Sequence, residues 1–195
     1  MNYFSRYKTL VNEAMETIDE ASFNKMLEEL TWTHSIGIPL LVGGNGGSAA
    51  IAEHLSCDHT KGVAMDTHHR PIVIPLQSNV SLITAIANDI GYEEIFSKQI
   101  EWFSRSNVCA VMMISSSGNS PNIVKGLTLA KTRGIRTLAM VGFDGGAVVK
   151  NNLADIILHV KSNNYGVVED CHQILMHALA QSIRITNANK PDIKL

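Results

Sequence analysis

Two stretches of the chain carry side chains able to move protons or hold a metal. His54 and Asp58 stand four residues apart, so on a helix they share one face a single turn from each other and form a usable metal-ligand or acid/base pair. Near the carboxyl end Glu169, His172 and His177 fall on another helical stretch, and offsets of three and eight keep them roughly on one side. Histidines beside carboxylates on a helix are also commonly solvated side chains, or core residues with a satisfied hydrogen bond, and the spacing leaves both readings open. Neither stretch has the tight HExxH pattern, so a peptidase-type zinc site is not supported.

Three turns could meet a ligand. Gly43-Gly44-Asn45-Gly46-Gly47-Ser48 lies between an apolar run and a helix beginning near Ala49. Its glycines let the backbone approach an anion, and the helix start supplies unpaired N–H groups. The spacing Gly44-x-Gly46-x-x-Ala49 nearly matches a dinucleotide fingerprint, but the acidic residue expected after the next strand is missing, because Leu76 is followed by Gln77. This argues against a nucleotide cofactor, and no Lys-Ser or Lys-Thr pair makes a P-loop. The second turn is Ser115-Ser116-Ser117-Gly118-Asn119-Ser120-Pro121. Helix capping by Ser120, with Pro121 at the first helical position, accounts for one of its hydroxyls. The row Ser115, Ser116, Ser117 beside a helix start is instead what a phosphate monoester needs. With no Lys or Arg in the loop, the expected ligand is a terminal sugar phosphate held by neutral donors, and phosphoryl transfer is not indicated. The third turn, Gln77-Ser78-Asn79 with Ala87-Asn88-Asp89 at the end of the helix it opens, is weak alone; Ser78 reads equally as a helix cap.

The elements that would position these turns follow a repeated grammar. Short apolar runs at Pro39 to Val42, Ile72 to Leu76, Cys109 to Ile114, Thr137 to Val141 and Ile156 to Val160 each lead into a polar or glycine-rich turn and then helix-like sequence. Runs apolar on both faces suit a parallel sheet covered by helices on both sides. The expected fold is an α/β three-layer sandwich with a five-stranded, doubly wound parallel sheet, whose ligand turns sit at the carboxyl ends of the strands. From Tyr3 to about Ser35 there is neither Pro nor Gly and the apolar residues recur at helical spacing, giving one long helix or two short ones. Its broad apolar face would cover either its own domain or another subunit. At 195 residues the chain reads as one domain: helical segment 1–36, α/β core 37–187 and a fraying tail 188–195.

Composition removes other classes. A formal charge of -2 gives no field to attract nucleic acid. Cys57, Cys109 and Cys171 are odd in number and have no CxxC spacing, which fits a reducing compartment rather than a disulfide framework. Helical spacing puts Cys57 and Cys171 in the core. No leader and no long apolar span are evident, so a soluble, cytoplasmic protein without a membrane partner is expected.

Taken in order, Gly44-Asn45-Gly46-Gly47-Ser48, Ala87-Asn88-Asp89, Ser115-Ser116-Ser117-Gly118-Asn119-Ser120, Gly142-Phe143-Asp144-Gly145-Gly146 and the His172…His177 helix resemble a sugar isomerase (SIS) domain, and closely the sedoheptulose 7-phosphate isomerase (phosphoheptose isomerase) family. The resemblance runs to about residue 185. It implies a flavodoxin-like subunit, a homotetramer with interfacial active sites, and ketose-to-aldose isomerisation of D-sedoheptulose 7-phosphate to D-glycero-D-manno-heptose 7-phosphate for surface polysaccharide. It further implies that Ser115, Ser116, Ser117 and Ser120 hold the phosphate and that Asn45, Gly46, Ser48 and Asn88 contact the sugar. Zn²⁺ would be held by His54, Asp58, Glu169 and His177, with Asp58 and His177 as the acid/base pair and Asp89 lining the site. The chain departs from the family pattern at Asp58, usually Glu; at Glu169, usually Gln; and at Gly62, usually Arg, with Lys61 adjacent. A shorter Asp58 reaches one methylene less far, and Glu169 adds an anionic group. The competing readings are a non-catalytic SIS protein that binds a sugar phosphate or another protein, and an isomerase for another sugar phosphate.

Overall fold

A computed structural model describes residues 2–104 and 109–188, so all of the expected tail beyond Ala188 lies outside the described residues. The amino-terminal segment resolves into two helices, α1 (Tyr3–Met15) and α2 (Glu20–Ser35). Each has its own cap. Asn2 Oδ1 accepts from the Ser5 N–H and Asp19 Oδ2 from the Ser22 N–H, both at 2.9 Å, and the second of these restarts the helix after Ile18.

Five strands follow the sequence grammar to within two residues: β1 (Pro39–Gly44), β2 (Ile72–Pro75), β3 (Ala110–Ser115), β4 (Arg136–Val141) and β5 (Ile156–His159). They pair in parallel in the order β2-β1-β3-β4-β5. Between them run α3 (Gly47–Cys57), continued by a π-helical turn (Asp58–Val63) and the one-turn α4 (Ala64–Asp66), then α5 (Val80–Asp89). After a 3₁₀ turn (Tyr92–Glu94) come α6 (Ile95–Phe103), α7 (Pro121–Thr132), α8 (Gly146–Lys150) and the long α9 (Tyr165–Thr186). Asn79 rather than Ser78 caps α5, accepting from the Leu82 N–H at 3.0 Å.

The strands alternate between two cores. Leu40, Val42, Ala110, Met112, Ile114, Leu138 and Met140 face α1, α2, α3 and α9; Leu41, Val111, Met113, Ala139 and Val141 face α5, α6, α7 and α8. Met26 and Leu30 of α2 are fully buried in the first core, with Leu10, Val11 and Phe23 packed against it, so the amino-terminal apolar face covers its own subunit. Tyr7 Oη donates to Asp170 Oδ2 at 2.8 Å, and the Arg136 guanidinium lies 4.0 Å over the Trp32 ring while bonding Glu29 at 2.7 Å.

Gly118, at φ +63, belongs to this framework as well as to the serine turn. A Cβ there would lie 2.2 Å from the Gly145 carbonyl oxygen, and backbone cannot yield as a side chain can. Gly118→Ala is therefore expected to lower stability in urea unfolding by at least about 2 kcal/mol.

Three histidines are buried in the described residues without charge partners. Burial pushes His34 down to about 4, His59 to about 3 and His172 to about 4. Unfolded imidazole titrates near ~6.5, so between that pH and about 4 the unfolded chain binds more protons than the folded one. Stability present above pH 6.5 is thus lost as the pH falls through this window. The urea midpoint should drop from pH 7 to pH 5, and His172→Leu should flatten the slope by up to about 1.4 kcal/mol per pH unit.

Candidate functional site

Strand order reverses between β1 and β3, because the chain moves from β1 outward to β2 and then returns to β3 on the other side. Loops leaving the carboxyl ends of two such strands diverge and open a crevice. Here those loops are the glycine turn and the serine turn, and together with the start of α9 they line a cavity of ≈ 140 Å³ formed by Asn45, Ser48, Ser115, Ser116, Ser117, Ser120, Tyr165 and Glu169. All eight are polar or phenolic side chains that the sheet topology brings together, and Ile114 completes the lining.

Within the serine turn the hydroxyls divide. Ser115 Oγ accepts from the Gly118 N–H and Ser117 Oγ from the Asn119 N–H, both at 3.2 Å, which leaves each hydroxyl proton to be donated elsewhere. Ser116 Oγ is buried and has no hydrogen-bond partner in the described structure. Ser120 occupies the cap position of α7, yet its side chain makes no capping bond; Asn122 Oδ1 takes the Ile123 N–H instead. The capping role expected from the sequence is therefore not the one the hydroxyl plays, and it stays directed to the cavity it lines.

Glu169 enters this cavity from α9. A Cβ on Gly47 would lie 2.3 Å from Glu169 Oε2, so the carboxylate rests against the first residue of α3 in space that only a glycine leaves. The α3 N-terminus favours an anion there.

Two turns further along the same helices lies a second cluster. His54 Nε2 is 3.5 Å from Asp58 Oδ1, and His177 Nε2 is 3.6 Å from Asp58 Oδ2, with the three groups' ligand atoms all within 4.8 Å of one another. They line an open cavity of ≈ 320 Å³ with Cys57, Lys61 and Arg184. Ligands bound at ~2.0–2.1 Å in a tetrahedron stand about 3.3–3.4 Å apart, so two imidazoles and a carboxylate at these separations fit Zn²⁺ in number, type and spacing. Glu169 is not in this set; the structure gathers three of the four residues and seats the fourth in the serine cavity.

A residue that the sequence reading missed joins the two imidazoles. Gln173 Nε2 is 2.8 Å from His54 Nδ1 and 3.2 Å from His177 Nε2. An amide nitrogen offers two hydrogens and no lone pair, so with the amide turned this way both ring nitrogens act as acceptors, and the rotated amide would instead accept from a ring N–H. The i, i+4 ladder Glu169, Gln173, His177 was the available signal. His172, grouped with them by its offsets, is instead fully buried on the core side of α9. Cys57 is exposed in the second cavity rather than buried, while Cys171 is buried and its thiol pushed up to about 11. Asn88 and Asp89 sit on the exposed end of α5, where Asn88 Nδ2 donates to Asp89 Oδ1 at 2.7 Å, and neither lines the serine cavity.

Comparison with known proteins decides the family. The SIS domain model matches residues 2–142. A phosphoheptose isomerase of Trichlorobacter lovleyi is 38% identical over 88% of this chain and 85% of its own, and that of Helicobacter pylori is 34% identical over 96% and 95%. The solved structure of a phosphoheptose isomerase from Francisella tularensis superposes with a TM-score of 0.83 at 27% identity, covering 93% of this chain and 94% of that one. The chain belongs to the phosphoheptose isomerase family of SIS-domain proteins.

At Gly62, where the sequence resemblance leads to an expected arginine, a different arginine lies alongside. A Cβ on Gly62 would lie 3.9 Å from Arg184 Cδ, so the α9 arginine passes beside the vacated position and lines the same cavity as His54, Asp58 and His177. The Glu169 carboxylate has the opposite effect on the serine cavity, since it adds a negative charge where a phosphate would bind. Glu169→Gln should tighten binding of inorganic phosphate by about three- to tenfold, read by calorimetry at low ionic strength, and the gain should shrink as salt is raised.

Proposed function

We propose that the chain isomerises D-sedoheptulose 7-phosphate to D-glycero-D-manno-heptose 7-phosphate, with the phosphate on Ser115, Ser116, Ser117 and Ser120 and the reacting end at His54, Asp58 and His177. The observation that carries the reading is the registration of two sites along α3 and α9. From Glu169 to His177 the helix advances eight residues, about 12 Å at ~1.5 Å per residue. An extended chain advances ~1.2 Å per bond, so the eight bonds from C1 to phosphorus in a heptose 7-phosphate span about 10 Å. A pentose 5-phosphate is two bonds shorter and would leave its carbonyl short of the imidazoles.

The reaction removes one proton from C1 of the ketose, moves a hydroxyl proton between O1 and O2, and returns a proton to C2 through an enediol. Asp58 and His177 share these transfers in our reading. Their facing atoms are 3.6 Å apart, close enough for a proton taken by one to reach the other through small side-chain movement. The serine hydroxyls fix the far end, which turns binding energy into alignment of C1 and C2. Ser48 and Asn45, at the base of the same cavity, would meet the sugar hydroxyls between. His54, Asp58 and His177 would hold Zn²⁺, which when bound polarises the substrate oxygens. Asp58 has an oxygen for each task, whereas His177 offers the same Nε2 to both, so metal binding and proton transfer compete for that atom. A cytoplasmic homotetramer supplying heptose for surface polysaccharide is part of the same proposal. Among the described residues no helix is long and apolar enough to cross a membrane.

Incubation with sedoheptulose 7-phosphate in deuterated water, metal-free and then with Zn²⁺, tests the reading. Aldose carrying carbon-bound deuterium is expected; its absence under both conditions would reject the assignment in favour of another sugar phosphate or a binding role. His177→Ala should lower kcat at least about 10³-fold while leaving inorganic phosphate affinity within twofold. Ribulose 5-phosphate should be turned over with kcat/KM at least about tenfold below the heptose.

A further inference from the structure

The amides of Asn45 and Asn122 meet head to head. Asn45 Nδ2 donates to Asn122 Oδ1 and Asn122 Nδ2 donates to Asn45 Oδ1, both at 2.9 Å. Such a pair is degenerate by itself, because rotating both amides by half a turn restores the same two bonds. One further contact removes the degeneracy, and a second is compatible with the result. The Ile123 backbone N–H bonds Asn122 Oδ1 at 2.9 Å, and after rotation it would face an NH₂ group. On the other side the Tyr92 hydroxyl donates to Asn45 Oδ1 at 3.2 Å. Asn122 is 1% exposed, so a mismatched donor there would be left buried and unsatisfied.

The orientation fixes what Asn45 can do. Both acceptor positions on Oδ1 are taken, by Asn122 and Tyr92, and one hydrogen of Nδ2 is spent on Asn122. One N–H remains on a residue that lines the serine cavity. We propose that Asn122, assisted by Tyr92, is a positioning residue that makes Asn45 a hydrogen-bond donor to a substrate oxygen and denies it the acceptor role. The substrate side of this inference rests on the isomerase reading above; the orientation of the amide does not. A donor held this way grips an oxygen between the phosphate and the reacting carbons, so it helps align C1 and C2 and its loss falls on kcat as well as on KM.

Asn122→Asp separates the roles. The carboxylate keeps acceptors for Ile123 N–H and Asn45 Nδ2, suits the first turn of α7, and loses the donor that holds Asn45 Oδ1. In ligand-free, ¹⁵N-labelled wild type the two Asn45 side-chain hydrogens should exchange with water at clearly different rates, and Asn122→Ala, which removes the acceptor as well as the donor, should collapse that difference. With sedoheptulose 7-phosphate, N122D should lose at least about tenfold in kcat/KM and Tyr92→Phe less, with inorganic phosphate affinity unchanged in Y92F. In an Asn45→Ala background N122D should cost less than about twofold further, because the residue through which it acts is gone. Equal exchange of the two hydrogens in wild type, or full additivity with N45A, would overturn the proposal. If the wild type turns over no heptose phosphate, the functional reading fails, and the exchange pattern alone then decides the orientation.

Discussion

The packing of α3 against α9 is the constraint on which both halves of the site depend. Ile51, Ala52 and Leu55 share one buried core with Val168, Cys171, Leu175, Met176 and Leu179. At the upper end Gly47 lets the helices close far enough for Glu169 to touch the α3 backbone. With that contact set, the residues on the adjoining face of each helix fall into register: Ser48, His54 and Asp58 on one, Glu169, Gln173 and His177 on the other. Neither helix holds a complete site. A residue exchange that rotated α9 by a fraction of a turn would separate His177 from Asp58 and Glu169 from the serine cavity together.

Apart from Glu169 the serine cavity is lined by neutral groups, and the fold explains how such a set suits the phosphate proposed for it. Parallel strands end on one side of the sheet, so the N-termini of the helices that follow point at the same crevice. Hydroxyls then complete the donor set. Their protons are available because Ser115 and Ser117 serve as acceptors toward the loop backbone, and because Ser120 gives up its cap bond to Asn122. The loop thus spends oxygen lone pairs on its own shape and keeps hydrogens for an anion.

Much of this was legible in the sequence. Five apolar runs separated by glycine or serine turns point to a parallel sheet with helices on both faces, whereas the strand order β2-β1-β3-β4-β5 is visible only in the structure. The serine loop was legible because Ser115, Ser116 and Ser117 exceed what capping requires. His54 and Asp58 were legible because an i, i+4 pair meets on any helix. What escaped depends on rotation about the helix axis. His172 and His177 differ by five residues, far enough apart in angle that one faces the core and the other the site, and without the partner helix the sequence does not say which. Gln173 escaped because an amide has no titratable signature. Cys57 escaped for a different reason: it stands three residues after His54, on the face of α3 that opens to the second cavity, and just beyond it the α-helix loosens into a π-helical turn at Asp58.

That loosened turn also bears on the shorter Asp58. An aspartate reaches one methylene less far than a glutamate, and along a regular helix the loss would have to be made up by the substrate. In a π-helical turn the backbone bulges outward, and here Asp58 is its first residue, with its two oxygens within 3.6 Å of imidazoles on two different helices. From that position Asp58 meets both imidazoles despite its shorter side chain. Gln173 adapts the pair from the other side, because an amide has a donor end and an acceptor end and can satisfy His54 Nδ1 with or without its proton.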